Sequence, residues 1–258
     1  MSPTVHELYE LWADEAELND ALQRSLAPRG VDSLFEAFAA LGPQPGQLVV
    51  DAGARNAVHT IRLVREHGLR GIALDLVPLH CELARAAIDE AGLDIEVVES
   101  AIESMPLADG SADWIWCRDV LVHVDAQRGL AECARILKPG GSLLAYVTLA
   151  TDRLEPKERA ELIDAAAVKT FYAEVLEAAA ADAGLVLRSV DRLGTEWRER
   201  MLEDGTWNAA EDLLAIARLR RGGFDGPEAT AAFAGLAWGV YQMLGKLCPT
   251  VYVWTSSA

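Results

Sequence analysis

The chain has 258 residues, 51% of them hydrophobic, and a formal net charge of −17 at pH 7. This length suits one large α/β domain or a domain with a cap. So negative a surface repels polyanions, which argues against nucleic acid as a partner and favours a small molecule. We find no apolar stretch of membrane-spanning length and no signal-peptide pattern in the first 24 residues, so we expect a cytoplasmic protein without a membrane partner.

Metal-ligand spacing is missing from the sequence. The four cysteines are scattered, with no CxxC pair, which is typical of free thiols in a reducing compartment. No Asp/Asn cluster has the spacing of a cation site, so we predict no metal. Composition leaves the oligomeric state open between monomer and homodimer.

The opening segment has the apolar spacing of helices. The first apolar set is Val5, Leu8, Tyr9 and Trp12, and the second is Val31, Leu34, Phe35 and Phe38. The Gly/Pro-rich stretch at 42–46 then ends the helical part. We predict an N-terminal helical lid over residues 1–42.

Short apolar runs then alternate with helical patterns. The predicted strands are "QLVVDA", Gly71–Leu76, Ile95–Val98, Ala112–Arg118, "SLLAYVTL" after a tight turn at Lys138–Gly141, "LVLRSVDRL" and Thr250–Thr255. The predicted helices are Val58–His67, Pro78–Ala91, one that runs through Leu137 and one near Phe171–Ala183. This alternation predicts an α/β fold with a doubly wound, mainly parallel sheet and helices on both faces.

Residues 205–246 have a helical pattern before the last predicted strand. We expect a Rossmann-like core over 43–204, a helical substrate-cap insertion over 205–246 and a final core strand over 247–258. An insertion at that end of a sheet can cover a ligand crevice. Trp207, Phe233, Trp238 and Tyr241 would either line an apolar substrate pocket or form the core between helices.

Two acidic residues end neighbouring predicted strands. Asp51 precedes Gly53 at the end of the first strand, and Asp75 ends the second. In a doubly wound fold this arrangement puts a loop beneath part of a nucleotide and a carboxylate where ribose hydroxyls lie. The alternative role for Asp75 is to cap the following helix.

Four stretches in this order, "VVDAG", "ALDL", "MPLADGSADWIWCRDVLVHV" and "ARILKPGGSLL", resemble the class I S-adenosylmethionine-dependent methyltransferases, in particular the small-molecule (type 11-like) branch. The resemblance implies a seven-stranded sheet with an antiparallel last strand and S-adenosylmethionine as cofactor. Carried over by position, it implies cofactor contacts from Asp51, Ala52, Gly53, Asp75, Leu76, Ala101, Ile102 and Arg118, with Arg118 and Asp119 near the reacting methyl.

The sequence departs from the family pattern at three positions. Arg55 and Ala57 replace the second and third glycines of the loop, and Ala101 replaces an acidic residue on the adenine side. Arg55 would pair with the cofactor carboxylate, turn to solvent or block the site. Glu99 and Glu103 are near enough in sequence to substitute for the missing acid.

Several residues near the expected crevice are candidates for chemistry. His123 is the first candidate for a general base, and the alternative is a packing role at a helix start. Asp119 would orient substrate or contact the cofactor amine, or else cap a helix. His59, on the first turn after the loop, would touch the cofactor carboxylate or a substrate anion, or simply lie at the surface.

The expected substrate-binding residues lie towards the ends of the chain. They are Tyr9 and Trp12 in the lid, Glu196 and Trp197 after the sixth strand, and Trp238 in the insertion. Core packing or a solvated helix face is the alternative for each.

The leading hypothesis is methyl transfer to an oxygen, nitrogen or carbon atom of a small metabolite, in bacterial secondary metabolism. One alternative is non-methylating chemistry on the same scaffold, such as cyclisation. Another is a non-catalytic binding protein, because a fold does not fix a function.

Overall fold

The computed structural model describes residues 29–197 and 206–257, with backbone alone at 206–209. Seven strands in this part of the chain form one sheet in the order β3-β2-β1-β4-β5-β7-β6. They are β1 (Leu48–Ala52), β2 (Arg70–Asp75), β3 (Ile95–Glu99), β4 (Ala112–Arg118), β5 (Leu137–Ala150), β6 (Leu185–Arg192) and β7 (Leu247–Ser256). β7 runs antiparallel to β5 and β6, and the pairs among β1 to β5 are parallel. The predicted α/β fold and its antiparallel last strand are confirmed.

Helices connect the strands. In the described residues they are α1 (Val31–Ala39), α2 (Val58–His67), α3 (Pro78–Ala91), α4 (Ala126–Ile136), α5 (Pro156–Ala166), α6 (Ala173–Asp182), α7 (Thr206–Arg221) and α8 (Pro227–Met243). The predicted bounds of α2 and α3 are confirmed, and each helix ends on a clear sequence signal. Gly68 and Gly92 close the two helices in the left-handed conformation.

Two elements differ from the prediction. The sequence did not predict α5, which is rich in charged residues and buries only Leu162 fully, so its apolar stripe is too weak to find. Residues 138–141 are not a separate tight turn before the fifth strand. They belong to β5, whose pairing with β4 shifts register between Ala112 and Trp114. Gly140 supplies the positive φ of 78° in this irregular stretch.

Apolar side chains fill both faces of the sheet. One face is covered by α4, α6 and α8, and the other by α1, α2 and α3. On the second face the predicted apolar stripe of α1 is confirmed: Phe35 stacks on Trp116 of β4 with ring centroids 4.8 Å apart. The lid residues Tyr9 and Trp12 lie outside the described residues.

Arg135 of α4 braces the loop that precedes β4. Its guanidinium donates to the carbonyl oxygens of Met105 and Leu107 at 2.8 and 2.7 Å, and to Asp109 at 2.6 Å. It also forms two 2.8 Å bonds to Glu132. This brace connects two of the sequence stretches that carry the resemblance, "MPLADGSADW" and "ARILKPGG".

The strand order places a crevice beside β1. The chain moves outward from β1 to β2 and β3 on one side, and to β4 and β5 on the other. Ligands in open α/β sheets bind at such a reversal, at the carboxyl ends of the strands. The ends of β1 and β4 are therefore the place for a site.

The predicted helical insertion corresponds to α7 and α8. The two helices pack on each other, and α8 also packs against α5 and β7. The proposed domain boundaries remain predictions. No helix in the described ranges combines the length and apolarity needed to cross a bilayer.

Candidate functional site

The loop after β1 keeps a glycine-type backbone without its usual glycines. Gly53, Arg55 and Ala57 have φ angles of 87°, 52° and 59°, all in the left-handed region. Such angles strain an L residue other than glycine. The Gly53 and Ala54 N–H groups donate to the Leu74 carbonyl oxygen at 2.7 and 2.9 Å, which fixes the loop across the end of β2. The departures Arg55 and Ala57 therefore leave the loop conformation in place.

Asp75 holds the other side of this loop. Its Oδ2 accepts the Arg55 backbone N–H at 2.8 Å, and its Oδ1 accepts the Val77 N–H at 2.9 Å. The Nδ1 atom of His80 lies 3.1 Å from the same Oδ1. A carboxylate offers about four acceptor positions. Asp75 therefore orders the loop and keeps acceptor capacity beyond these bonds.

Asp51 lies buried at the end of β1, where Thr60 Oγ1 donates to its Oδ2 at 2.6 Å. Burial and, less strongly, the negative charge of Asp75 raise the pKa of Asp51 to about 7, although the Thr60 bond and Arg118 oppose the rise. The carboxyl group beneath the loop is therefore poised to titrate near neutral pH.

His59 begins α2 beside the loop and packs edge-on against Phe35 and Trp116, with ring centroids 5.3 and 5.7 Å apart. Burial and, less strongly, the positive charges of Arg118 and Arg62 lower its pKa to about 4. His59 is therefore a neutral imidazole at pH 7, able to accept or donate one hydrogen bond from the pocket wall.

The chain leaves β4 through a strained residue. Asp119 has a φ angle of 56°. Its Oδ1 accepts the Thr148 N–H at 2.9 Å, and Thr148 Oγ1 donates to its Oδ2 at 3.2 Å. Burial raises the pKa of Asp119, and the Thr148 bonds oppose the rise. Asp119 does not cap a helix: α4 begins later and is capped by Asp125.

A pocket of about 270 Å³ opens between the loop and the end of β4. Its wall brings together two guanidinium groups, a neutral imidazole, the buried carboxyl group of Asp51 and the half-buried carboxyl group of Asp119. It is lined by Asp51, Gly53, Ala54, Arg55, Asn56, Val58, His59, Arg118 and Asp119. Six residues predicted for the site from the sequence therefore share one pocket.

Other predicted cofactor residues surround this pocket at different depths. Ala52 is fully buried in β1, and Ile102 is buried in the core. Ala101 is half-buried beside the end of β3. Leu76 is 65% exposed directly after Asp75, an apolar surface at the place expected for ribose and adenine.

The remaining predicted residues lie outside the pocket wall. His123 is exposed in the turn after β4. Trp197 is 2% exposed and packs on Tyr146 with ring centroids 4.8 Å apart, while Glu196 pairs with Arg29 at 3.2 Å. Trp238 packs near Phe171. Their catalytic and substrate-binding roles stay predictions.

Sequence reasoning missed three residues that support the pocket. They are Thr60, Thr148 and Gln242, each buried and each part of a hydrogen-bond chain that ends on a pocket carboxyl group. Thr148 and Gln242 are far in sequence from their partners, and Thr148 lies within an apolar strand pattern, so no local pattern marks these two residues.

Comparison with known proteins agrees with the fold. Residues 50–145 match the family model described as "Methyltransferase domain". A sarcosine/dimethylglycine N-methyltransferase from Halorhodospira halochloris is 33% identical over 134 residues, which cover 51% of this chain and 46% of that enzyme. The chain thus matches less than half the length of this relative.

Solved structures share the fold over most of the chain. A candidate sarcosine dimethylglycine methyltransferase from Galdieria sulphuraria superimposes with a TM-score of 0.71 at 24% identity, covering 93% of this chain and 88% of that one. The [4+2]-cyclase SpnF superimposes with a TM-score of 0.66 at 19% identity, covering 83% and 76%. At these identities the structures show the fold alone.

The matched segment begins in β1 and ends in β5, so it contains the loop, Asp75 and the end of β4. Over this segment the chain is similar to the methyltransferase domain family.

Proposed function

We propose that the protein transfers a methyl group from S-adenosylmethionine to an acceptor atom of a small metabolite. The observation that carries the proposal is the loop backbone. Arg55 and Ala57 adopt left-handed angles that glycines normally supply, and the Arg55 N–H is bound to Asp75. A loop that had lost its ligand would have no reason to retain this strain.

The residues around the pocket suit each part of the cofactor. Asp75 would accept ribose hydroxyls, and the exposed Leu76 would cover the adenine side. The guanidinium groups of Arg55 and Arg118 would attract the methionine carboxylate. S-adenosylmethionine supplies an electrophilic methyl group on a sulfonium ion.

The end of β4 would hold the acceptor. Arg118 and Asp119 place charged groups at the pocket wall, which would orient a small polar acceptor. His123, exposed in the following turn, remains the predicted proton acceptor where the nucleophile is a hydroxyl. A cytoplasmic location and a role in bacterial secondary metabolism remain parts of the proposal.

The relatives favour an amine among the possible acceptors. The relative from Halorhodospira halochloris is named for sarcosine and dimethylglycine, which are small amines bearing a carboxylate. A pocket with two guanidinium groups and two carboxyl groups is complementary to both ends of such a molecule. We therefore extend the proposal to small amines that carry an acidic group.

A second candidate is isomerisation, such as cyclisation, on the same scaffold. The feature that favours it is Arg55, whose side chain is exposed at the pocket where the family has glycine. A guanidinium that filled the methionine position would leave a cavity for another ligand.

Calorimetry with S-adenosylhomocysteine tests the cofactor site. We expect saturable binding to the wild type, and binding that is about ten- to a hundred-fold weaker after Asp75→Asn, because one charged hydrogen bond is lost. Asp94→Asn, the same change at an exposed acid before β3, is the matched control and should leave the affinity unchanged. Equal effects of the two substitutions would contradict the ribose role of Asp75.

Product mass separates the two candidates. Incubation with S-adenosylmethionine and sarcosine or dimethylglycine should give a product heavier by one methylene group. Absence of S-adenosylhomocysteine binding by the wild type would refute the leading proposal, and a product of unchanged mass from another substrate would support isomerisation.

A further inference from the structure

A buried chain of hydrogen bonds connects the helical insertion to the pocket. Gln242 near the end of α8 donates from Nε2 to Thr148 Oγ1 at 3.4 Å. Thr148 Oγ1 donates in turn to Asp119 Oδ2 at 3.2 Å. Asp119 lines the pocket wall, so the chain runs from the insertion through β5 to the site.

The direction of this hydrogen-bond chain follows from how many protons each group can donate. A threonine hydroxyl has one proton to donate and two lone pairs that accept. The Gln242 amide nitrogen can only donate, so it occupies a lone pair of Thr148 and leaves the proton for another acceptor. Two acceptors lie near, Asp119 Oδ2 at 3.2 Å and Tyr146 Oη at 3.4 Å. The carboxylate is the closer and stronger acceptor.

We propose that Gln242 is a positioning residue for the reaction: through the Thr148 hydroxyl it holds the Asp119 carboxylate in one orientation at the pocket wall. The kinetic consequence of this arrangement rests on the proposed methyl transfer, while the hydrogen-bond chain itself does not.

The strain at Asp119 explains why such support is needed. Its φ angle of 56° is unfavourable for an aspartate, and its N–H is fixed by the Tyr146 carbonyl oxygen at 2.8 Å. With the backbone fixed, the two bonds from Thr148 determine where both carboxylate oxygens point. Gln242 and Thr148 are both buried, so water does not readily replace a lost partner.

Charged groups face Asp119 from several directions. Arg118 precedes it on β4 and His123 follows in the next turn, and both lower its pKa. Asp51, Arg55 and His59 line the same pocket from β1, the loop and α2. Gln242 is uncharged, so its effect on Asp119 passes through the Thr148 proton and can be separated from these charges.

Reversing the direction of the hydrogen bond between residue 242 and Thr148 tests the proposal. Gln242→Glu puts an acceptor where the donor was, so the Thr148 proton turns towards residue 242 and Asp119 loses a bond. The pKa of Asp119 should then rise, because that bond stabilises the charged form. Titration of the Asp119 carboxyl carbon by ¹³C NMR measures this without turnover. Gln127→Glu, the same change at an exposed residue of α4, is the matched control.

Two further variants test the same proposal, so that it does not rest on Gln242→Glu alone. Gln242→Leu removes the donor without adding charge, and Thr148→Val removes the hydroxyl, and each should raise the Asp119 titration midpoint. Thr148→Ser keeps the hydroxyl and should restore the wild-type midpoint.

The kinetic readout is a split between kcat and affinity. We expect kcat to fall about tenfold in Gln242→Leu, the effect of about 1.4 kcal/mol, while S-adenosylhomocysteine affinity stays within twofold of the wild type. An Asp119 midpoint that does not move in folded Gln242→Leu and Thr148→Val protein overturns the proposal. Failure of the wild type to bind S-adenosylhomocysteine would overturn the proposed function instead, and the NMR result would still decide the role of Gln242.

Discussion

The backbone N–H of Arg55 donates to Asp75 Oδ2 across 2.8 Å, and this bond joins the loop after β1 to the end of β2. It explains how the loop keeps its shape with an arginine in place of glycine. The left-handed conformation points the N–H at the carboxylate, and the bond offsets part of the strain. Position 55 therefore keeps the backbone conformation typical of glycine although its residue is an arginine.

Arg55→Gly should change stability and affinity in opposite directions. Glycine adopts a φ angle of 52° without strain, so we expect the free energy of unfolding to rise by about 0.5–1 kcal/mol. Loss of the guanidinium should weaken S-adenosylhomocysteine binding about tenfold if it pairs with the cofactor carboxylate. Urea unfolding and calorimetry measure the two effects.

Arg85→Gly is the control for this comparison. Arg85 is exposed within α3, where glycine should lower the free energy of unfolding by about 1 kcal/mol. A destabilised Arg55→Gly protein would contradict the interpretation that the loop is strained at this residue.

Gly53→Ala should damage the pocket more than its backbone angle alone explains. A Cβ atom at Gly53 would overlap Val120 Cγ2 and lie 3.3 Å from Val120 Cβ, at a φ angle of 87°. We expect a loss of about 2–4 kcal/mol in the free energy of unfolding, from the left-handed conformation and the overlap together. Thermal or urea unfolding provides the measurement.

Matched changes separate these two causes. Gly46 has a similar φ angle of 81°, and within the described residues nothing lies within 4 Å of a Cβ built there. Gly46→Ala should therefore show the conformational cost alone, about 1 kcal/mol. Adding Val120→Ala to Gly53→Ala should recover part of the overlap cost, and no recovery would show that Val120 is not the obstacle.

Asp51 and His59 should give opposite pH dependences to stability. The Asp51 pKa rises from 3.8 to about 7 on folding, so the folded protein holds a proton that the unfolded chain has released, and stability falls as pH rises through this window. The His59 pKa falls from 6.5 to about 4, so stability rises with pH between these values. Each slope is at most about 1.4 kcal/mol per pH unit.

Single substitutions measure how much Asp51 and His59 each contribute to the pH dependence of stability. Relative to the wild type, Asp51→Asn should become more stable from pH 4 to 7, while any advantage of His59→Gln at pH 4 should disappear by pH 6.5. Urea unfolding at a series of pH values tests both. A constant difference between variant and wild type would show that the residue titrates alike in the folded and unfolded states.

Arg135→Lys should destabilise the loop before β4. A lysine can replace the charge but not the planar set of donors that reaches Met105, Leu107, Asp109 and Glu132 together. We expect a loss of about 2–3 kcal/mol in urea unfolding, equivalent to two or more charge-assisted bonds. Arg128→Lys, at an exposed position of α4, should cost little, and equal losses would contradict the role of the brace.

The sequence was sufficient for the order of strands and helices because their signals are local. α2 and α3 each end at a glycine, and β1, β2 and β4 are predicted apolar runs whose residues are mostly buried. Helix α5 lacks such a signal and was missed.

The pocket was only partly predictable. Asp51, Gly53, Asp75 and Asp119 follow from strand ends, which any doubly wound sheet brings together. The support of Asp119 by Gln242 depends on how α8 packs against β5, and the two residues are far apart in the chain. Contacts between side chains of separate helices and strands leave no repeating pattern in the sequence from which they could be predicted.

Phe35 stacks on Trp116, and His59 lies against the edge of the same indole. This contact makes the fluorescence of Trp116 sensitive to the state of the pocket. Protonated imidazole quenches indole emission, whereas neutral imidazole does so weakly. Trp116 is fully buried, and the ring of His59 reaches from it to the pocket wall. Retaining Trp116 while its fellow tryptophans are replaced would turn this residue into an intrinsic fluorophore that reports what binds beside His59.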